Sequence, residues 1–369
     1  MTEKAPELLR LLRRVTLARS MDTELLHSVR NLGDNTTELE TELERVNTIF
    51  RDIPSEWHRF NFNDVESRSY QALHILESLH DQLERRIARS NTKLPPPEAA
   101  TSAGTQPGGP LRFAVASIVN PTATYDEYRG LFNDLAHALG RPYEFVQRRT
   151  YHEINELVLR GEVDLAFICS GGYAALPSDA PVEIIALPVV SGKTVYHSLI
   201  IVRKNSPIER FEDLEGSRFA FTDPLSGTGH LYPVFRIRKL GREPRYFFSS
   251  TLFSGSHDQS LQAVSHGLVD AAAVNELVYN RLVVPRSPYW GQFRVIESSP
   301  GFGIPPVVAP TSVPEDLRAR MREFLLHLTD TPQGRERLAA LGFDGFTLGN
   351  KELYESIREI RDVTGQTPE

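Results

Sequence analysis

A single cysteine, Cys169, stands in the 369 residues, so no intrachain disulfide can form and cysteine spacing supplies no zinc site. There is no basic excess either. The 41 Lys and Arg residues against 48 Asp and Glu leave a net charge of −7, which excludes broad binding to nucleic-acid phosphates. No stretch approaches the roughly 20 apolar residues that span a bilayer, so no transmembrane segment is expected. At the start, MTEKAPELLRLLRRVTLARS, Arg10, Arg13 and Arg14 interrupt the leucines where an export signal needs an unbroken apolar core. These absences predict a globular chain in the cytoplasm, with no cofactor and no metal.

Composition changes near residue 93. Before it, Leu39, Leu43, Val46 and Phe50 recur at 4-3-4 spacing among charged residues, and Leu73, Leu76, Leu83 and Ile87 repeat the theme. Pro54 and Gly33-Asp34-Asn35 break the pattern, predicting two or three amphipathic helices in a module over 1–92. That module is either a small bundle packed on itself or a coiled-coil arm that pairs with a second copy or another protein. The Pro/Gly/Ser/Thr/Ala stretch PPPEAATSAGTQPGGP cannot bury a core, which makes 93–110 a flexible linker.

From residue 111 strand and helix patterns alternate, the signature of α/β layers. LRFAVASIV reads as a strand, 124–140 as a helix, 143–149 as a strand, 151–161 as a helix and 163–169 as a buried strand. A longer strand over 195–204 precedes a second set: SRFAFTDP, a helix near 229–240, a short strand near 245–249 and FRVIESS at 293–299. The domain is expected over 111–347, with one lobe at about 111–200 and 300–347, the other at about 201–299, and a C-terminal helix and tail at 348–369. GFGIPP, at 301–306, is expected to cross between the lobes.

Four strand-to-helix junctions share one chemical style. IVNPTATYDEY places Thr124 as a cap with Glu127 three residues on, and Tyr125 in the first turn. LAFICSGGY offers Cys169, Ser170 and Tyr173, DPLSGTGHLYP offers Ser226, Gly227 and Thr228, and FSGSHDQS offers His257. Small residues let backbone N–H groups approach a ligand, hydroxyls add donors, and helix N-termini favour an anion. His230 and His266 read as surface residues, the arginines at 236–245 as a solvated face, and Asp270 as structural at a strand start.

FSGSHDQSLQAVSHGLVDAAAV and DPLSGTGHLYP, with VDLAFICSGGY upstream, resemble the paired motifs of the phosphonate and phosphite substrate-binding proteins of ABC importers, over about 111–345. The resemblance implies a two-lobed α/β type 2 periplasmic-binding-protein fold, preceded here by the all-α module. It also implies a cleft that closes on a small oxyanion, with Ser226, Thr228 and His257 as donors and Tyr125 and Tyr173 as walls. The chain departs from the family at Gly227, which replaces the central Thr of the Ser-Thr-Ser-Gly loop and removes a hydroxyl. Glu276 is the positional candidate for gripping a ligand amine, as acids downstream of the histidine do in some members.

Without an export signal and with a helical module, the chain reads as an oxyanion sensor that signals through its helices. Two other readings stay open. Cys169 facing the cleft makes an arsenite-type soft ligand the alternative, as in relatives that sense arsenite; otherwise it is a core residue. An enzyme on the same scaffold, resembling thiamine-pyrimidine synthases, would pair His257 as base with Cys169 as nucleophile.

Overall fold

The computed structural model describes residues 37–58, 68, 69, 71, 72, 75, 109–148 and 150–364. Towards the N-terminus the helix Thr37–His58 buries Leu39, Leu43 and Val46. It runs through Pro54, where the sequence predicts a break. Proline removes an intrahelical N–H and crowds the preceding turn, but a helix can continue through it. The arginines at 10, 13 and 14, the turn at 33–35, the second leucine series and most of the linker lie outside the described residues.

From residue 111 the chain builds two lobes. The first holds a six-stranded sheet of β1 (Leu111–Val115), β2 (Tyr143–Gln147), β3 (Leu165–Phe167), β4 (Val182–Val189), β12 (Val307–Pro310) and β13 (Gly345–Thr347), in the order β13-β4-β12-β3-β1-β2. Residues alternate across it. Phe113 and Val115 join Phe132, Phe167, Leu317 and Met321 on one face, while Ala114 joins Ile154, Val158, Ile168 and Val308 on the other.

The second lobe holds five strands: β6 (Ser198–Arg203), β7 (Arg218–Phe221), β8 (Ser250–Phe253), β9 (Ala271–Asn275) and β10 (Phe293–Ser298), in the order β10-β6-β9-β7-β8. Its core gathers Ile200, Val202, Phe219, Phe221 and Ala273, and the C-terminal helix Glu355–Thr364 adds Ile357 and Ile360. Two of the chain's crossings between the lobes pair antiparallel, as β5 (Val195–Tyr196) with β11 (Phe302–Gly303), and a third leads from β13 to the C-terminal helix.

Local differences from the sequence reading have local causes. The strand expected over 195–204 divides at His197, because β5 serves the crossing while β6 enters the second sheet between β10 and β9. Asn120, not Thr124, caps the helix Pro121–Leu139, accepting the Ala123 N–H at 3.0 Å with Pro121 preset at the first position. The strand expected near 245–249 is the short helix Pro244–Phe247, again opened by proline, and β8 follows it. Arg236 lies on no solvated face: Glu297 accepts from its Nε and Nη2 at 2.7 and 2.8 Å.

The lobes repeat one construction. Arg112-Phe113-Ala114 opens β1 and Arg218-Phe219-Ala220 opens β7, and in each case a Val-Asp pair follows at the start of the parallel neighbour. Asp164 accepts the Arg112 N–H at 2.7 Å, and Asp270 accepts the Arg218 N–H at 2.9 Å, both across 52 residues. The aspartate N–H groups donate back to Arg112 O and Arg218 O, so each carboxylate closes a two-way clamp on the first rung of a parallel pair. Asp270 therefore holds the strand start, as read from the sequence. Removing a carboxylate strands a backbone donor, so Asp164→Ala and Asp270→Ala should each lower stability by about 1–3 kcal/mol, more at buried Asp164. Urea denaturation midpoints measure this, and wild-type midpoints in both variants would show that the strands need no clamp.

Candidate functional site

The two lobes meet through their strand-to-helix loops. Asn120, after β1, donates to Asp258 from its backbone at 3.1 Å and from its amide at 2.8 Å. His257 N–H donates to Ile118 O at 3.0 Å, and Tyr151 N–H donates to Asp223 at 3.1 Å. Arg281 grips both carboxylate oxygens of Glu127 at 2.8 and 2.9 Å. Each of these bonds joins one lobe to the other, so the domain is in a closed arrangement.

At the centre of this junction two loops touch backbone to backbone. Cys169 precedes the helix Ser170–Ala175, and Ser226 precedes the π-helix Gly227–Leu231, accepting the Gly229 N–H at 2.9 Å. A Cβ on Gly171 would lie 2.2 Å from Leu225 O and 2.4 Å from Gly227 N, so no side chain fits there in the closed state. Cys169, Ser170, Ser226, Gly227 and Thr228 are thus brought into one buried knot.

Two residues that the sequence reading missed complete it. Tyr151, at the start of the helix Tyr151–Leu159, packs with Cys169 and Ala116, and Tyr196, from the crossing strand, shares a hydrogen bond of 2.5 Å with Ser170 Oγ. The capping box of Thr150 with Glu153 is the available signal for Tyr151, since it marks a fifth junction of the same kind. Nothing in the sequence links Tyr196 to Ser170.

The knot holds unmet polar capacity. In the knot, Tyr151 Oη and Thr228 Oγ1 are buried without hydrogen-bond partners, a costly condition. Backbone N–H groups of Gly227, Gly171 and Gly172 face the Cys169 sulfur. Burial pushes the thiol up nonetheless, and those amides offset it only in part, so Cys169 is a poor thiolate for a soft metal or for nucleophilic attack.

The His257 ring is held within its own lobe. Asn275 N–H donates to its Nδ1 at 3.1 Å, which places the ring proton on Nε2, and Thr222 Oγ1 lies 3.1 Å from the same nitrogen. Burial holds its pKa down to about 3, so it is a neutral donor and no general base.

Other expected positions lie elsewhere. Tyr125 is 44% exposed against Phe145, and Tyr173 packs tilted against Tyr354 with ring centroids 4.6 Å apart and Arg358 over its ring. Glu276 accepts the His197 N–H at 3.0 Å. His230, expected at the surface, is buried between Phe221 and Phe253, with Nδ1 2.9 Å from Pro224 O.

The His257 environment fixes a pH dependence. The unfolded chain protonates this ring near pH 6.5 and the folded chain near 3, so in between the unfolded state binds more protons. Its contribution is whole above the unfolded value and is lost as pH falls toward the folded one, at up to about 1.4 kcal/mol per pH unit. In His257→Asn, whose amide oxygen can replace Nδ1, melting temperatures between pH 7 and 4 should fall less steeply than in the wild type. Parallel profiles would overturn this, since His230 and Asp223, which burial shifts down and up, titrate in both proteins.

Residues 113–354 match the family model described as ABC transporter, phosphonate, periplasmic substrate-binding protein. The phosphonates-binding periplasmic protein of Escherichia coli (strain K12) is 24% identical over 255 residues, covering 68% of this chain and 75% of that protein. A binding-protein component of an ABC phosphonate transporter from Pseudomonas aeruginosa superposes with a TM-score of 0.65 at 24% identity, covering 71% of this chain and 88% of that one. PhnD1 of Prochlorococcus marinus (MIT 9301), solved with methylphosphonate, gives 0.62 at 19% identity, covering 69% and 98%. The type 2 periplasmic-binding-protein fold is the one that the motifs imply. The cytoplasmic location expected from the interrupted leucines is overturned, because the family and its E. coli member are periplasmic. With two lobes, a closed cleft and a match across most of the α/β domain, the chain belongs to the family of phosphonate substrate-binding proteins of ABC transporters.

Proposed function

We propose that the chain binds a small phosphorus oxyanion, of the phosphonate, phosphite or phosphate kind, at the knot between the lobes and presents it to an importer. The observation that carries this is the pair of buried, unpartnered hydroxyls, Tyr151 Oη and Thr228 Oγ1, set among the glycine amides of both lobes. An oxyanion supplies the acceptors these donors lack, and amides and hydroxyls hold it without a lysine or arginine. The phosphonates-binding name of the E. coli relative and the methylphosphonate in the P. marinus structure point to the same ligand class. His257 Nε2–H and Ser170 are further donors in this reading, and Ser226 acts by capping its turn. Because both lobes contribute donors, ligand stabilises the closed state over the open one. The signalling role read from the N-terminal module falls mostly on residues outside those described.

Thermal shift and calorimetry with methylphosphonate, phosphite, phosphate and sulfate test the proposal. A phosphorus oxyanion should raise stability by about 2.7 kcal/mol at a hundred times its Kd. Tyr151→Phe and Thr228→Val should each weaken binding about tenfold while leaving the ligand-free protein as stable or more so, since each removes an unmet buried hydroxyl. No response to any phosphorus oxyanion would overturn the proposal.

Gly171→Ala gives a separate check on closure. Its methyl group collides with backbone at Leu225 and Gly227, so the lobes should stay apart, with affinity falling more than tenfold and the radius of gyration with ligand remaining that of the ligand-free protein. Undiminished affinity in this variant would show that binding does not require the two loops to meet.

A further inference from the structure

Beside the knot lies a cavity of about 290 Å³ bounded by both lobes. The first lobe supplies Val115, Val119, Tyr128 and Phe343, and the second supplies Leu277 and Val278. Its charged groups cancel, because Glu127 and Arg281 pair across the cleft through two hydrogen bonds. Two of its polar side chains are engaged: Thr124 Oγ1 donates to Val119 O, and Asn275 Oδ1 accepts from Leu277 N–H, while Tyr128, Ser191 and Asn280 also line it. Glu276, the acid expected to grip an amine, is turned to His197 N–H and does not line the space. A charged group entering this cavity would lose water and meet no unpaired opposite charge, whereas an apolar group would gain by leaving water.

The cavity shares its walls with the knot. Ala116 lines it and also packs with Tyr151 and Cys169. Ile118, whose carbonyl accepts the His257 N–H, and Asn275, whose N–H fixes His257 Nδ1, line it as well. An apolar cavity of about 150 Å³ already admits benzene, so this one has room for a substituted ring or a branched alkyl group. We propose that the cavity receives a neutral apolar substituent of the same ligand whose oxyanion head is held at the knot. The ligand class is then an aryl- or alkylphosphonate with a bulky uncharged group, not an aminoalkyl one. This rests on the oxyanion reading above and narrows it.

Calorimetry on the full chain with methylphosphonate, phenylphosphonate and 2-aminoethylphosphonate tests it. Phenylphosphonate should bind roughly tenfold or more tighter than methylphosphonate, the scale expected for burying a ring, and the aminoethyl compound no tighter than methyl. Val278→Phe, which fills the cavity, should abolish the phenyl preference and leave methylphosphonate affinity in place. Phe343→Ala, which enlarges it, should shift preference toward naphthylphosphonate, and it serves if the first variant does not fold. Methylphosphonate binding with no gain for phenyl would overturn this inference and leave the oxyanion reading standing; no binding of any phosphonate would remove both. Stabilisation by toluene alone, without a phenyl preference among phosphonates, would also overturn it, by making the cavity an independent apolar site.

Discussion

Gly171 meets Leu225 and Gly227 with no side chain between them, and much of the site follows from that approach. Two loops in backbone contact bring N–H groups from both lobes to one point, and they can do so only where the residues are small. A lysine or arginine at these positions would hold the lobes apart. In the oxyanion reading proposed above, recognition comes from amides and hydroxyls, and the junction burial that would strengthen them also leaves Tyr151 Oη and Thr228 Oγ1 without partners. A Cβ on Gly227 would stand 3.4 Å from Gly171 N, an ordinary contact, so the close approach is demanded at Gly171 alone.

The histidine obeys a different rule. Its Nδ1 is occupied by a backbone donor from the end of β9, and its own N–H reaches Ile118 in the other lobe. Only Nε2–H remains to offer, and burial keeps the ring neutral. A charged imidazolium would bind an anion more strongly in principle, but it would make the closed site depend on pH near neutrality and would cost desolvation in the empty state. A neutral donor gives up strength for constancy. The same burial disfavours pairing His257 as base with Cys169 as nucleophile, because it lowers the ring's basicity and raises the thiol.

Much of this is legible in the sequence. The α/β alternation, the two lobes, the crossing near GFGIPP and the small-residue junctions at 169–172, 226–229 and 254–257 all follow from local patterns, which periodicity and turn chemistry report well. What fails requires long-range information. Tyr125 and Tyr151 look alike in sequence, each in the first turn of a helix after a strand, and only the lobe interface decides which is buried beside the cleft. Tyr173 is taken by Tyr354 in the chain's C-terminal segment, and Glu276 by a backbone N–H 79 residues away. His230 reads as a surface residue of a helix because Phe253, which covers it, comes from a strand that pairs beside β7.

The repeated clamp explains why the lobes can close as bodies. Asp164 and Asp270 each lock the first rung of a parallel pair at the end remote from the cleft, so β1 with β3 and β7 with β9 emerge toward the junction from fixed bases. The loops after those strands then differ freely: β1 leads to Asn120, β3 to Cys169, β7 to Asp223 and β9 to Asn275. Each of these residues takes part in the lobe junction or orients His257. One construction, used twice, supplies rigidity, and the sequence after each strand supplies recognition. The Glu127 and Arg281 pair fits this division. It crosses the cleft among the residues that line the cavity, where it joins the lobes and leaves the lining without net charge.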